Sequence, residues 1–384
     1  MHFKLLFTVA LTSALHSAFA ETNVAFPSAE GFGRLASGGS GGETVHVTTL
    51  NDSGAGSFRD AVSKPHRTVV FDVSGIIRLK SNIAVSSDIS IFGDTAPSNG
   101  ITLYGRSTSF SGQKNIVVRY VRFREGIAGD KGKCSVNLSS GSNMIFDHCS
   151  IEWGRWDCLG LTQGSHDITF QNCIIGEGVD PQRFGSLTDS VTNITYAHNL
   201  WINNQSRNPK AKGKIQYVNN VVYNWGVCGL VGGHSAGDHF QDVVGNYFVA
   251  GPNSGKHAVG ECTKTDHVFL KGNFVDLDKD GKLNGRELVP ADCGSGEGAP
   301  TIVETPSNGS LDDLKIENAT AALSNVLANA GCSLHRDAVD ARLIDDVRSF
   351  GMRGKIIHSE AEVGGVGELN EIHAPANLAA IDAQ

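Results

Sequence analysis

The feature that most constrains the fold is an internal repeat in the middle of the chain. Six runs share one texture: a short alternating apolar strand, a polar residue, then a second apolar strand. They begin at Ile116, Met144, Ile168, Ile194, Ile215 and Val243. Aligned on the central polar position, the series reads Arg122, His148, Asn172, Asn199, Asn220, Asn246 and Asn273. Successive steps are 26, 24, 27, 21, 26 and 27 residues. A period of about 20 to 50 residues marks a solenoid or an array of stacked units. The units hold β-rich runs and turn residues with no 3.6-residue period, which predicts an all-β, right-handed parallel β-helix with one unit per coil. Propeller blades need about 40 residues or more, so that alternative fits poorly.

Five of the seven aligned residues are asparagine. Stacked amides can bond from rung to rung, so the series predicts an asparagine ladder inside a bend. Glycine is abundant, with 46 among 384 residues, against an average near 7%. Sharp corners in every coil account for it, because glycine takes positive φ at little cost.

Residues 1–20 read as a signal peptide, with Lys4 as the positive region, Leu5 to Leu15 as the apolar stretch and Ala18-Phe19-Ala20 as the cleavage site. No later stretch has the roughly 18 apolar residues of a membrane span. The sequence therefore predicts a secreted, extracellular protein acting as a monomer without a membrane partner. Eight cysteines, at 134, 149, 158, 173, 228, 262, 293 and 332, fit disulfides in that compartment. Six glycosylation sequons start at Asn51, Asn137, Asn193, Asn204, Asn308 and Asn318. The β-helix is expected over residues 21–310. Residues 311–384 read as an extension with helices over 317–330 and 336–349, covering an open edge of the stack, followed by loop from Gly364.

The formal charge of −8 argues against nucleic acid as a partner, which needs a basic surface. Against this background one strip stands out: Arg207, Lys210, Lys212 and Lys214 fall within eight positions, with Pro209 stiffening the turn. Local fields govern anion binding, so the strip predicts an anionic ligand. A second motif is Asp276-Leu-Asp278-Lys-Asp280-Gly281-Lys282-Leu283-Asn284-Gly-Arg-Glu287, which fills every key position of an EF-hand loop. Asp276, Asp278, Asp280 and Glu287 would supply carboxylates, Lys282 its carbonyl, and Asn284 a water-mediated contact to Ca²⁺. A strand pattern precedes it, so the ion would staple an inserted loop rather than act as a switch.

The stretch His198-Asn-Leu-Trp-Ile-Asn-Asn-Gln-Ser-Arg207-Asn-Pro209-Lys-Ala-Lys212 resembles the R-x-P-x-x-R region of pectate lyases of polysaccharide lyase family one, with Lys212 at the second arginine. Phe146-Asp147-His148-Cys149-Ser150 is similar to that family's W-I-D-H-C-S strand, and the openings at Ala25 and Leu50 are also similar. The resemblance implies a right-handed parallel β-helix that cleaves polygalacturonate by β-elimination with Ca²⁺. A base removes the C5 proton, α to the uronate carboxylate, and the O4 bond breaks. The resemblance assigns Arg207 as the base, with Lys210 and Lys212 binding uronates. A free arginine has a pKa near 12.5 or above, which leaves Lys212 as the competing base, since lysine shifts more readily. Asp157 matches one ligand of the family's catalytic calcium and Glu152 is a weaker candidate, while Gly132-Lys133-Cys134-Ser135 stands where the family has an aspartate. Asp147 and His148 are read as structural. Two further readings remain: a non-catalytic β-helix that binds cell-wall polysaccharide, and a lyase for another uronate polymer or methylated pectin.

Overall fold

The structure, a computed structural model, describes residues 24–367 and 372–373. The signal-peptide reading and most of the final loop therefore lie outside the described residues. What is described is a parallel β-helix of about nine coils. Each coil presents three faces. One face stacks Thr108–Ser109, Val136–Ser139, Asp157–Thr162 and the first part of Phe184–Ala197. The second stacks Ile89–Phe92, Lys114–Arg119, Ser142–Asp147 and His166–Gln171. The third runs from Val73–Arg78 through Ser150–Glu152 and Leu200–Ile202 to Phe274–Asp276. The long strands Phe184–Ala197 and Lys210–Val218 bend across one corner and fuse the first two faces.

Alternation along the third face explains the rest of the architecture. Ile175, Trp201, Val222 and Phe248 point into the coil interior. Their neighbours Ile174, Leu200, Val221 and Tyr247 point outward and are also apolar. A sheet apolar on both sides needs a cover. The chain supplies it after α1 (Phe58–Ala61), with α2 (Ala319–Asn329) and α3 (Ala338–Arg348). Leu323, Val326, Leu343, Ile344 and Val347 pack onto that face. The helices thus cover a flank of the stack, not the open edge foreseen from the sequence. Asn318 and Asp337 cap them by accepting from the Ala321 and Asp340 N–H groups.

The ladder is present but shorter than its sequence alignment. Asn199, Asn220, Asn246 and Asn273 each accept from the preceding rung and donate onward to a strand carbonyl. In earlier coils the register moves by one residue: Cys173 pairs with the Asn199 position and Cys149 with Cys173. Asn172, His148 and Arg122 lie beside the ladder instead. Thiols and amides therefore occupy one interior column. All eight cysteines are free and buried, which corrects the disulfide expectation. Cys149 and Cys173 stack on adjacent rungs as free thiols. Their thiols sit 3.5 Å from the Asp147 carbonyl and 3.2 Å from the Gln171 carbonyl.

Replacing Asn246 by alanine orphans partners on both sides of its rung, since its amide bonds the Tyr217 carbonyl and the Asn273 Oδ1, both at 2.8 Å. We expect a loss of about 1–3 kcal/mol or more in denaturant unfolding. A change below about 0.5 kcal/mol, typical of surface sites, would remove the ladder as a source of stability.

Candidate active site

The basic strip lies where the first face turns its corner. Asp157 pairs in register with Phe184, and Phe184 bridges to Ser206, so three consecutive coils converge beside Arg207. The backbone there is pinned from inside. Asn204 donates to the Asn208 Oδ1 at 2.8 Å, and the Tyr217 hydroxyl donates to the Asn208 carbonyl at 2.9 Å. Arg207 itself has φ +64°, and the peptide between Asn208 and Pro209 is cis. Gly185 admits this close turn: a Cβ on it would lie 2.3 Å from the Arg207 carbonyl oxygen.

The guanidinium rests on the Phe184 ring, 4.1 Å from its centroid. One terminal nitrogen lies 3.2 Å from both carboxylate oxygens of Asp157. Asp157 is fully buried. Burial pushes its carboxyl up to about 6, even though Arg207 pulls the other way. Lys210 donates to His234 Nε2 at 3.0 Å. Desolvation, then Arg207 and Lys212, hold its ammonium below the ordinary lysine value. Lys212 pairs with Asp189 at 2.9 Å. Arg207, Lys210 and Lys212 therefore stand together on one outward edge, while Lys214 passes the corner and lies over Phe240. Phe184, Asp189 and His234 were not legible beforehand; each comes from another coil and carries no local motif.

Curated relatives share nearly the whole chain. Probable pectate lyase C of Emericella nidulans is 43% identical over 354 residues, covering 92% of this chain and 83% of that protein. The protein of the same name from Aspergillus flavus is 40% identical over 370 residues, covering 96% and 87%. This chain belongs to the pectate lyase family. Among solved structures, the cedar pollen allergen jun a 1 matches with a TM-score of 0.61 at 20% identity, over 79% of this chain and 92% of that one. A thermostable pectate lyase matches at 0.59 and 14% identity, over 82% and 99%. At those identities the structures speak for the fold alone. No family profile matches the sequence.

Within this pectate lyase chain the sequence-derived calcium ligands separate. Both oxygens of Asp157 are engaged by one nitrogen of Arg207. Glu152 is remote from the strip in function: it is buried and paired with Arg124 beneath the C-terminal helices. Asp147 and His148 make structural contacts, with Asp147 bonding Arg119 at 2.9 Å and His148 stacking on Tyr120. The EF-hand-like segment forms a closed loop between Phe274–Asp276 and the antiparallel pair Arg286–Glu287. Gly281 takes φ +83° at the sharp turn, and Asp276 accepts from the Asn284 N–H at 3.1 Å. Asp278 and Asp280 accept from N–H groups of the same loop. Among the described residues no three His, Cys, Asp or Glu side chains gather into a metal cluster.

Two sequons are corrected by burial. The Asn204 amide donates to the Ile175 carbonyl, and the Asn308 amide to the Ile215 and Phe240 carbonyls. Neither nitrogen is open to a glycan. Asn193 is engaged by Asp167 at 2.8 Å and Asn137 is half-buried, whereas Asn51 and Asn318 are exposed. Among the described residues no helix is long and apolar enough to cross a membrane.

Proposed function

We propose that this protein is an exported, monomeric pectate lyase that cleaves (1→4)-α-D-galacturonan by β-elimination. The observation that carries the reading is the Arg207–Lys210–Lys212 edge on a β-helix whose relatives, named pectate lyases, match over nine-tenths of the chain. Lys210 and Lys212 meet uronate carboxylates and stabilise the charge that spreads from C5 onto the carboxylate. A deprotonated Arg207 side chain takes the C5 proton, the C5–H electron pair forms the 4,5 double bond, and the C4–O4 bond breaks with its electron pair leaving on O4, which takes a proton from water. Phe184 beneath and Asp157 beside the guanidinium hold it in one orientation. Lys212 remains the competing proton acceptor, because lysine shifts more readily than arginine.

The test is the ultraviolet absorbance of the unsaturated uronate product, followed on polygalacturonate from neutral to alkaline pH with Ca²⁺ present. No absorbance rise from pure protein would sink the lyase reading and leave a polysaccharide-binding β-helix. Faster initial rates on esterified than on de-esterified pectin would move the substrate to methylated pectin.

We also assign the 276–287 loop to Ca²⁺. Its donors are hard oxygens: the Asp276, Asp278, Asp280 and Glu287 carboxylates and the Lys282 carbonyl. Held there, the ion would staple the last coil and take no part in proton transfer. We expect Ca²⁺ to raise the melting temperature of the wild type and Asp276→Ala to lose that increment. Equal melting temperatures with Ca²⁺ and with EDTA would overturn the assignment.

A further inference from the structure

Exposed aromatic side chains are rare on this molecule. Three of the four tryptophans, Trp153, Trp201 and Trp225, are fully buried. Trp156 is 39% exposed, the one aromatic among the exposed large hydrophobic residues described. Its position is not arbitrary. It immediately precedes Asp157, which holds Arg207, and its N–H is tied to the Lys133 carbonyl at 2.9 Å. Lys131 and Lys133 are exposed on that neighbouring loop, and neither joins a salt bridge among the described residues. Arg155 is fixed by carbonyls, at 2.9 Å to Gly129 and 3.1 Å to Asp180. The backbone of an exposed tryptophan is thus tied to a loop with two exposed lysines, one residue before the carboxylate that holds Arg207.

Spacing fixes what it could touch. Asp157, Phe184 and Ser206 occupy the same register on three consecutive coils. The Arg207 backbone lies two rungs beyond Trp156, at about 4.8 Å per rung, but its guanidinium reaches back to Asp157 at 3.2 Å, so Trp156 is one residue from the partner of the reacting group. A 1,4-linked sugar advances by a comparable step, so a polymer running along the coil axis past Arg207 would bring a second ring over the indole.

We propose that Trp156, with Lys131 and Lys133, forms a uronate-binding subsite beside the sugar that reacts at Arg207. The indole supplies a flat apolar surface for the sugar's C–H face and the lysines meet its carboxylate. The subsite acts through binding and gives the enzyme its advantage on polymer over short fragments. This rests on the polygalacturonate reading above.

Steady-state kinetics on polygalacturonate, with Trp156→Ala and Trp156→Phe, provide the test. Trp156→Ala should raise KM about tenfold, with kcat changed by less than about twofold. Trp156→Phe should recover most of the affinity, and the penalty should shrink on fragments too short to span both positions. Because the other tryptophans are buried, a collisional quencher in water acts selectively on Trp156. Galacturonate oligomers added to the slow Arg207→Lys variant should shift and protect its emission from quenching. Unchanged KM in Trp156→Ala from an active enzyme, or no fluorescence response while turnover proceeds, overturns the subsite alone. A fluorescence response from a wild type that never cleaves supports the subsite and sinks the lyase reading. Neither cleavage nor response overturns both.

Discussion

Arg207→Lys should lose about 10²–10⁴-fold in kcat on polygalacturonate, with a much smaller change in melting temperature. Lysine keeps a positive charge within reach of the buried Asp157 carboxylate, so the fold does not inherit an unpaired buried anion. What it loses is the planar group that lies flat on Phe184 at 4.1 Å while pointing one nitrogen at Asp157. A kcat within about threefold of wild type would transfer the base role to Lys210 or Lys212. Arg207→Ala is a poorer probe, because it strands Asp157 in a site that already pushes its carboxyl up to about 6. Pairing Arg207→Ala with Asp157→Asn removes both partners and isolates the chemical loss.

The sequence showed the solenoid because stacking imposes a period on every coil, and a period survives in one chain. Its corners, its amide ladder and the cluster Arg207–Lys212 are all local, so they could be read directly. The errors have the same origin. Asn172 and Cys173 are adjacent, and only cross-coil pairing shows that Cys173 faces Asn199. Choosing the amide over the thiol placed the ladder one residue off there, while the disulfide expectation came from eight cysteines in an exported chain. Asp157 was legible as an acidic residue near the site but not as the partner of Arg207, fifty positions later. Asn308 fits a surface sequon by spelling alone, yet its amide is inserted between two strands. The helices were found from their own periodicity, while the face they cover was decided by outward apolar residues such as Ile174 and Leu200.

Arg124→Met should cost about 3–5 kcal/mol and loosen the C-terminal helices. Arg124 is fully buried where the third face meets α3. It bonds Glu152, Asp337 and Asp340, with 2.7 Å to the Asp340 Oδ1. Arg122 adds contacts to Asp337 at 3.5 Å and Asp340 at 3.7 Å, and the Ser150 hydroxyl donates to Asp340 at 2.8 Å. Burial opposes the charge on Arg124, but the three carboxylates outweigh it and hold its pKa well above the usual value. Burial likewise pushes Glu152 up, against the pull of Arg124. Two arginines thus face three carboxylates, and removing Arg124 leaves buried Glu152 without a partner and Asp337 and Asp340 to Arg122 alone. Limited proteolysis should then open the chain within residues 319–348, since Asp337 and Asp340 are the helix's own side of the clamp. Adding Glu152→Gln to Arg124→Met should restore much of the loss, because it removes the carboxylate that only Arg124 pairs while Arg122 keeps Asp337 and Asp340. An unchanged unfolding transition in Arg124→Met alone would show that apolar packing by Leu343, Ile344 and Val347 is sufficient to hold the helices in place.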